Sequence, residues 1–307
     1  MTKPVVVVGV DGSPSSLDAV ETAGHEADIR GAELRLVHAF GRPSAHLPAG
    51  VPPWNPAGAG VRELLDGTLA AAERRAHDVA PHVDITRDVT VGEPLMVLEI
   101  ASRTASLVVV GSRGLGAFSS LLLGSTSAHL AAHGHCPVLV VRGRPNPKGP
   151  LLLGVDDSAA SEEAVSFAFT EAALRGADLT VLHVCRTGSS DGYDGPADPP
   201  FVTYDEAHLR EKAEHVLDAA LAGLRERHPD VTVRRRPVVG RVRHTLIDAS
   251  ADAQLLVVGA RGRGGFTGLL LGSVSQAVLH HARCPVTVVR HRGEDPAAVG
   301  GGAEERP

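Results

Sequence analysis

Leu107-Val108-Val109-Val110-Gly111-Ser112-Arg113-Gly114, nine further residues, then Gly124-Ser125-Thr126 is the stretch whose reading decides the fold. Four apolar residues in a row describe a strand buried on both faces of a parallel sheet. The glycines break that strand, and Gly124-Ser125-Thr126 opens a helix. The same pattern returns 148 residues later, as Leu255-Leu256-Val257-Val258-Gly259-Ala260-Arg261-Gly262, nine residues, and Gly272-Ser273. Its flanks return too: Leu121-Leu122-Leu123 against Leu269-Leu270-Leu271, and Cys136-Pro137-Val138 against Cys284-Pro285-Val286. Nearer the start, Gly9-Val10-Asp11-Gly12-Ser13 matches Gly154-Val155-Asp156-Asp157-Ser158 at an offset of 145, as His38 matches His183. The chain carries two copies of one unit.

Each copy alternates strand and helix. In the first, strands are predicted at 5–10, 33–40, 84–91, 107–110 and 138–142, with helices over 13–30, 61–82, 94–103 and 126–133. In the second, strands are predicted at 151–155, 179–185, 231–238, 255–258 and 286–290, with helices over 160–175, 204–227, 242–250 and 273–281. Residues 41–60 and 186–203 read as long loops, and Trp54 and Tyr193 read as residues that pack those loops down, with a lid over a nucleotide as the alternative. Such alternation implies parallel strands joined by right-handed crossovers, so the predicted fold class is α/β. The expectation is two tandem doubly wound, Rossmann-like domains, each a five-stranded, mainly parallel sheet flanked by helices. Their limits fall at 1–143 and 151–291, with a proline-stiffened linker at 144–150 and a disordered tail at 292–307. The edges of the fifth strands suggest that the two units pair through them as a pseudo-dimer; a further pairing of two chains is also expected.

Composition narrows the function classes. The 307 residues fit two domains of ordinary size, and 43% hydrophobic with 21% charged residues is typical of globular chains. A net charge of −6 gives no general attraction to nucleic acid or anionic lipid. Neither a membrane span nor a signal peptide is evident, and three cysteines do not make a disulfide framework. A cytoplasmic chain with no nucleic-acid or membrane partner is the expectation.

In an open α/β sheet, ligands bind beyond the carboxyl ends of the strands where strand order reverses. There the glycine block exposes main-chain amides, and the helix opening at Gly124 offers free N–H groups to phosphate oxygens. Ser125 is read as a helix cap or a phosphate partner, and Arg113 and Arg261 as charge-assisted anion contacts. Strand, glycine loop and helix also build any crossover. The duplicated spacing, with its arginine kept, shifts the reading to a nucleotide.

The G-x-x-G-x9-G-S blocks, the Val8-Gly9-Val10-Asp11-Gly12-Ser13 start, the Leu36-Val37-His38 strand end and the Cys-Pro-Val finish resemble the ATP-binding branch of the universal stress protein family, in its tandem form. The resemblance implies one ATP per unit, with Mg²⁺ as an optional companion. It implies that Asp11 and Asp156 meet the ribose, while main chain at Gly9, Val10, Ala39, Gly154, Val155 and Val184 borders adenine. Gly111, Arg113, Gly114, Gly124, Ser125 and Thr126 would hold ribose and phosphates in the first unit. Gly259, Arg261, Gly262, Gly272, Ser273 and Val274 would do so in the second. The candidate set takes in the rest of each block: Ser112, Leu115, Gly116, Ala260, Arg263, Gly264 and Ser275. Ala260 for Ser112 and Asp157 for Gly12 are departures that would weaken the second site.

No Gly-Lys-Ser/Thr of a P-loop is present, and one carboxylate per site is thin support for phosphoryl transfer. The favoured function is a nucleotide-dependent regulator in stress response. Alternatives are a slow ATPase on the same fold and a scaffold with vestigial sites. His133, His135, Cys136, His280, His281 and Cys284 read as helix-end and core residues rather than a metal site. His38 and His183 read as hydrogen-bonded structural residues.

Overall fold

In the computed structural model, which describes residues 3–40, 59–115, 123–185, 206–262 and 270–291, Val6, Val7 and Val8 are wholly removed from solvent. Burying each contributes roughly 1.5–3 kcal/mol. Alternation along the strand sends Val6 and Val8 to one face of the sheet and Val7 to the other. The strand is thus covered on both sides, as its unbroken β-branched run requires.

The first repeat contains β1 (Val5–Gly9), α1 (Pro14–Arg30), β2 (Glu33–Phe40), α2 (Ala59–Val79), β3 (Ile85–Val91), α3 (Pro94–Ser102), β4 (Leu107–Gly111), α4 (Ser125–His133) and β5 (Val138–Val141). The second contains β6 (Leu151–Gly154), α5 (Ala159–Arg175), β7 (Leu179–Cys185), α6 (Glu206–Leu221), α7 (Leu224–Arg227), β8 (Val233–Val239), α8 (Val242–Ala249), β9 (Leu255–Gly259), α9 (Ser273–His281) and β10 (Val286–Val289). Strand order is β3-β2-β1-β4-β5-β10-β9-β6-β7-β8. All neighbours are parallel except β5 and β10, which pair antiparallel with Val140 opposite Val286 and Val138 opposite Val288.

Two five-stranded sheets were expected, and the fifth strands merge them into one of ten. The reason is the apolar edge: Val138, Leu139 and Val140 are buried, and β10 pairs along the side of β5 that β4 leaves open. A single apolar cluster accordingly includes Val6 and Leu34 of the first repeat with Leu151 and Leu179 of the second.

One expectation changes. The helix predicted over 204–227 is two helices, broken where Gly223 adopts φ 70. That left-handed conformation is open to glycine and ends α6. The segment 144–150 is tied to the second repeat: Arg144 N–H donates to the Arg283 carbonyl at 2.9 Å and Asn146 N–H to that of Ala253 at 3.1 Å. The loop tips, with Trp54 and Tyr193, and the tail at 292–307 lie outside the described residues. No helix among the described residues is long and apolar enough to cross a membrane.

Candidate functional site

The order β2-β1-β4-β5 reverses between β1 and β4, so the carboxyl ends of those two strands frame a crevice. After β1 the chain turns at Asp11 into α1. Ser13 caps that helix, its hydroxyl accepting from Ser16 N–H at 3.2 Å, with Pro14 in the first turn. Asp11 folds back as an Asx turn: its Oδ1 accepts from Ser13 N–H at 2.9 Å. Its Oδ2 reaches across the crevice and accepts from Leu115 N–H at 2.9 Å. One carboxylate therefore ties the β1 turn to the glycine block.

That tie explains Gly114. A Cβ there would stand 2.5 Å from Asp11 Oδ2. In the second repeat, a Cβ on Gly262 would strike Asp156 Oδ2. Gly111 is equally constrained, since a Cβ would lie 2.5 Å from the Ser15 carbonyl oxygen. Asp156 is anchored by Ser158 N–H at 3.1 Å and by the hydroxyls of Ser158 and Ser161 at 2.5 and 2.6 Å.

Gly124 and Gly272 differ from these. Each is the cap residue of its helix, with φ −76 and −73, a conformation open to any residue. The nearest described atom to a Cβ on either is 3.5 Å away, ordinary contact. Nothing among the described residues demands a glycine there. Neither helix has a side-chain cap, so the N–H groups of Ser125, Thr126 and Ser127 precede the first intrahelical bond, from Ala128 N–H to the Gly124 carbonyl at 3.0 Å. Ser125 is thus the first helical residue, exposed, and not the cap. Ser273 and Val274 sit alike on α9.

Other candidates turn elsewhere. Ser275 is buried, and its hydroxyl donates to the Gly259 carbonyl at 2.7 Å. Ser127, absent from the sequence-derived set, does the same to Gly111 at 2.6 Å. Both pin a helix to a strand end. Ser112 and Ala260 are buried, and each offers its carbonyl to the helix cap: Gly124 N–H at 2.7 Å, Gly272 N–H at 2.8 Å. The Ser-to-Ala difference leaves that main-chain bond intact. Val10 spends its N–H on the Val37 carbonyl at 2.9 Å, and its own carbonyl meets His38 Nδ1 at 2.7 Å. Val155 and His183 repeat that bond at 2.8 Å. Both histidines hold the first strand's end in place. Gly9 and Gly154 end β1 and β6, and Ala39 and Val184 lie near the ends of β2 and β7. Arg113 is exposed beside the crevice and Arg261 half-buried. Gly116, Arg263 and Gly264 lie outside the described residues.

Beside Asp156, a cavity of about 770 Å³ opens between α5 and α6, with Val165, Val216 and Ala219 among its apolar lining. It shares Asp156, Asp157 and Ser158 with the crevice but none of the glycine block. Burial pushes the Cys284 thiol up to about 12, which keeps it a neutral core residue. Among the described residues no group of three or more His, Cys, Asp or Glu side chains is placed to hold a metal ion.

Partial burial pushes the Asp11 carboxyl up, but hydrogen bonds from Ser13, Leu115 and Ser16 outweigh it and hold the group below its ordinary value. A depressed folded value means that the contribution to stability is present above the unfolded value of about 3.9 and lost as pH falls through the folded one. Asp11→Asn should therefore flatten the acid limb of stability, measured as urea midpoints between about pH 5 and pH 2. Parallel limbs for parent and variant would refute the assignment.

Comparison with known proteins agrees with this architecture. The universal stress protein family matches residues 3–142 and again 149–290. A universal stress protein of Mycolicibacterium smegmatis is 40% identical over 298 residues, covering 94% of this chain and 97% of that one. One from Mycobacterium tuberculosis is 37% identical over 298 residues, covering 93% and 96%. A universal stress protein structure from Archaeoglobus fulgidus superposes with a TM-score of 0.66 at 20% identity, over 94% of this chain and 96% of that one, a likeness of fold. With one family match in each repeat and alignment over nearly the whole length of these relatives, the chain belongs to the universal stress protein family as a member with two tandem domains.

Proposed function

We propose that each repeat binds one ATP at its β-strand switch point and that the chain acts as a nucleotide-dependent regulator in stress response. The observation that carries this reading is the pair of glycines at 124 and 272. The described protein leaves room for a side chain at both and imposes no special backbone angle. A phosphate drawn close to the helix N-terminus supplies the demand that the protein does not. The N–H groups at the start of α4 and α9 face the phosphates, Arg113 and Arg261 add charge, and Asp11 and Asp156 offer their remaining lone pairs to ribose hydroxyls. With one carboxylate per site, Mg²⁺ would be held mainly by the phosphates themselves.

Isothermal titration tests this directly. Two equivalents of ATP per chain are expected, and mass spectrometry of small molecules released from denatured protein should detect an adenine nucleotide. Gly124→Ala and Gly272→Ala should leave the urea midpoint near that of the parent while weakening ATP at the altered site by about 10-fold or more. A chain that takes up no ATP, ADP or AMP, with or without Mg²⁺, would end the proposal.

A further inference from the structure

Arg142 and Arg290 stand 148 residues apart, each the residue that follows the last strand of its repeat. Both side chains leave their own repeat. Arg142 donates from Nη1 to the carbonyls of Val278, at 3.2 Å, and Leu279, in the last turn of α9. Arg290 donates to the carbonyl of Ala132, in the last turn of α4. A guanidinium at a helix C-terminus satisfies carbonyls that have no partner within the helix and complements the negative end of its dipole. These are the two helices whose opposite ends open at Gly124 and Gly272.

The root of each arginine is tied to its own repeat's glycine block. The Val141 carbonyl accepts from Ser112 N–H at 3.0 Å, and the Val289 carbonyl from Ala260 N–H at 2.8 Å. One peptide further on, the side chain crosses to the other repeat. Beyond Arg142 the chain turns sharply at Gly143, φ 61, where a Cβ would strike the Arg283 carbonyl. That turn fixes the arginine's point of departure.

We propose that Arg142 and Arg290 are reciprocal positioning residues, each setting from the opposite repeat the anion-facing helix of the other repeat's nucleotide site. The inference rests on the nucleotide reading given above. A nine-residue α-helix is a rod of about 13 Å, too long for the guanidinium at one end to touch a phosphate at the other, but short enough to move as a unit. Freeing its C-terminal end loosens the aim of its N-terminal amides. The effect therefore appears in the repeat that does not contain the mutation.

The test uses full-length chains carrying Arg290→Ala, Arg142→Ala or Arg290→Lys. Hydrogen exchange of α4 and α9 is followed without nucleotide. ATP affinity is measured with one site disabled, by Gly262→Asp to isolate the first and Gly114→Asp to isolate the second. Arg290→Ala should speed exchange in α4 but not α9, and weaken ATP at the first site about 10-fold while leaving the second within about twofold. Arg142→Ala should do the mirror image. Arg290→Lys should recover part of the loss, because an ammonium also donates to helix-end carbonyls. Equal weakening of both sites, or of neither, overturns the proposal, as does faster α4 exchange with unchanged first-site affinity. If the parent takes up no ATP, the nucleotide reading fails by itself. The exchange arm then decides the bracing, and unchanged exchange in α4 and α9 overturns it.

Discussion

Gly114→Asp is expected to reduce the ATP stoichiometry from two per chain to one, with the fold retained. The added Cβ would sit 2.5 Å from Asp11 Oδ2, so the block must shift or Asp11 must swing away. Either movement breaks the bond from Leu115 N–H that closes the block over the β1 turn. The new carboxylate also stands beside an existing one at the place proposed for a polyanion, and like charges there repel both Asp11 and phosphate. A loss of at least about 100-fold at the first site follows, about 2.7 kcal/mol of binding free energy. Gly114 is exposed and lies outside the core, so the cost to folding should be small beside that. Calorimetry should show one equivalent for Gly114→Asp and none when Gly262→Asp is added. Two retained equivalents in the single variant would show that the nucleotide lies elsewhere.

The strands and the crevice at their carboxyl ends were legible because the buried strands are written as unbroken apolar runs, and the duplicated blocks mark where they end. A serine ahead of Pro14 and a glycine after Arg30 are local signals, and the structure has Ser13 as the cap of α1 and Gly31 in the left-handed conformation at its end. What was lost depended on three-dimensional context. Gly223 reads as a tolerated glycine within a helical pattern, and only its φ of 70 shows the break between α6 and α7. Ser125 looks like a cap by type, yet the preceding glycine takes that position and leaves the helix without a side-chain cap. Ser127 and Ser275 are equivalent in the repeat, and their shared bond to a strand-end carbonyl was within reach of a position-by-position comparison of the two copies. The pairing of the fifth strands was legible from their apolar edges, but the side-chain contacts between the repeats were not. Nothing local to Glu26, Arg30, Glu171 or Arg175 says that α1 and α5 meet there.

Arg30→Ala is expected to cost about 3–5 kcal/mol of folding stability, because it strips a partner from two buried carboxylates at once. Arg30 pairs with Glu26 on its own helix and with Glu171 on α5, and Arg175 pairs with the same two carboxylates from the other side. The side chains of Glu26 and Glu171 are 3% and 2% exposed, so water replaces none of these partners. Burial pushes the Glu171 carboxyl up, Arg30 pulls it down, and Glu26 adds to the upward push. Without Arg30 the two glutamates are left with Arg175 alone, and their repulsion is no longer offset. Urea unfolding at neutral pH should show the loss. The ring's net worth is a separate question, since four charges also lose hydration when buried. A chain carrying Glu26→Leu, Arg30→Met, Glu171→Leu and Arg175→Met together should unfold near the parent midpoint or above it. If that chain proves as unstable as Arg30→Ala, the cost lies in lost packing between α1 and α5 and not in orphaned charge. If it matches the parent, the ring contributes register: its two bonds between the helices, Arg30 to Glu171 and Arg175 to Glu26, close only when α1 and α5 meet at these positions, which a plain apolar contact between two helices would not enforce.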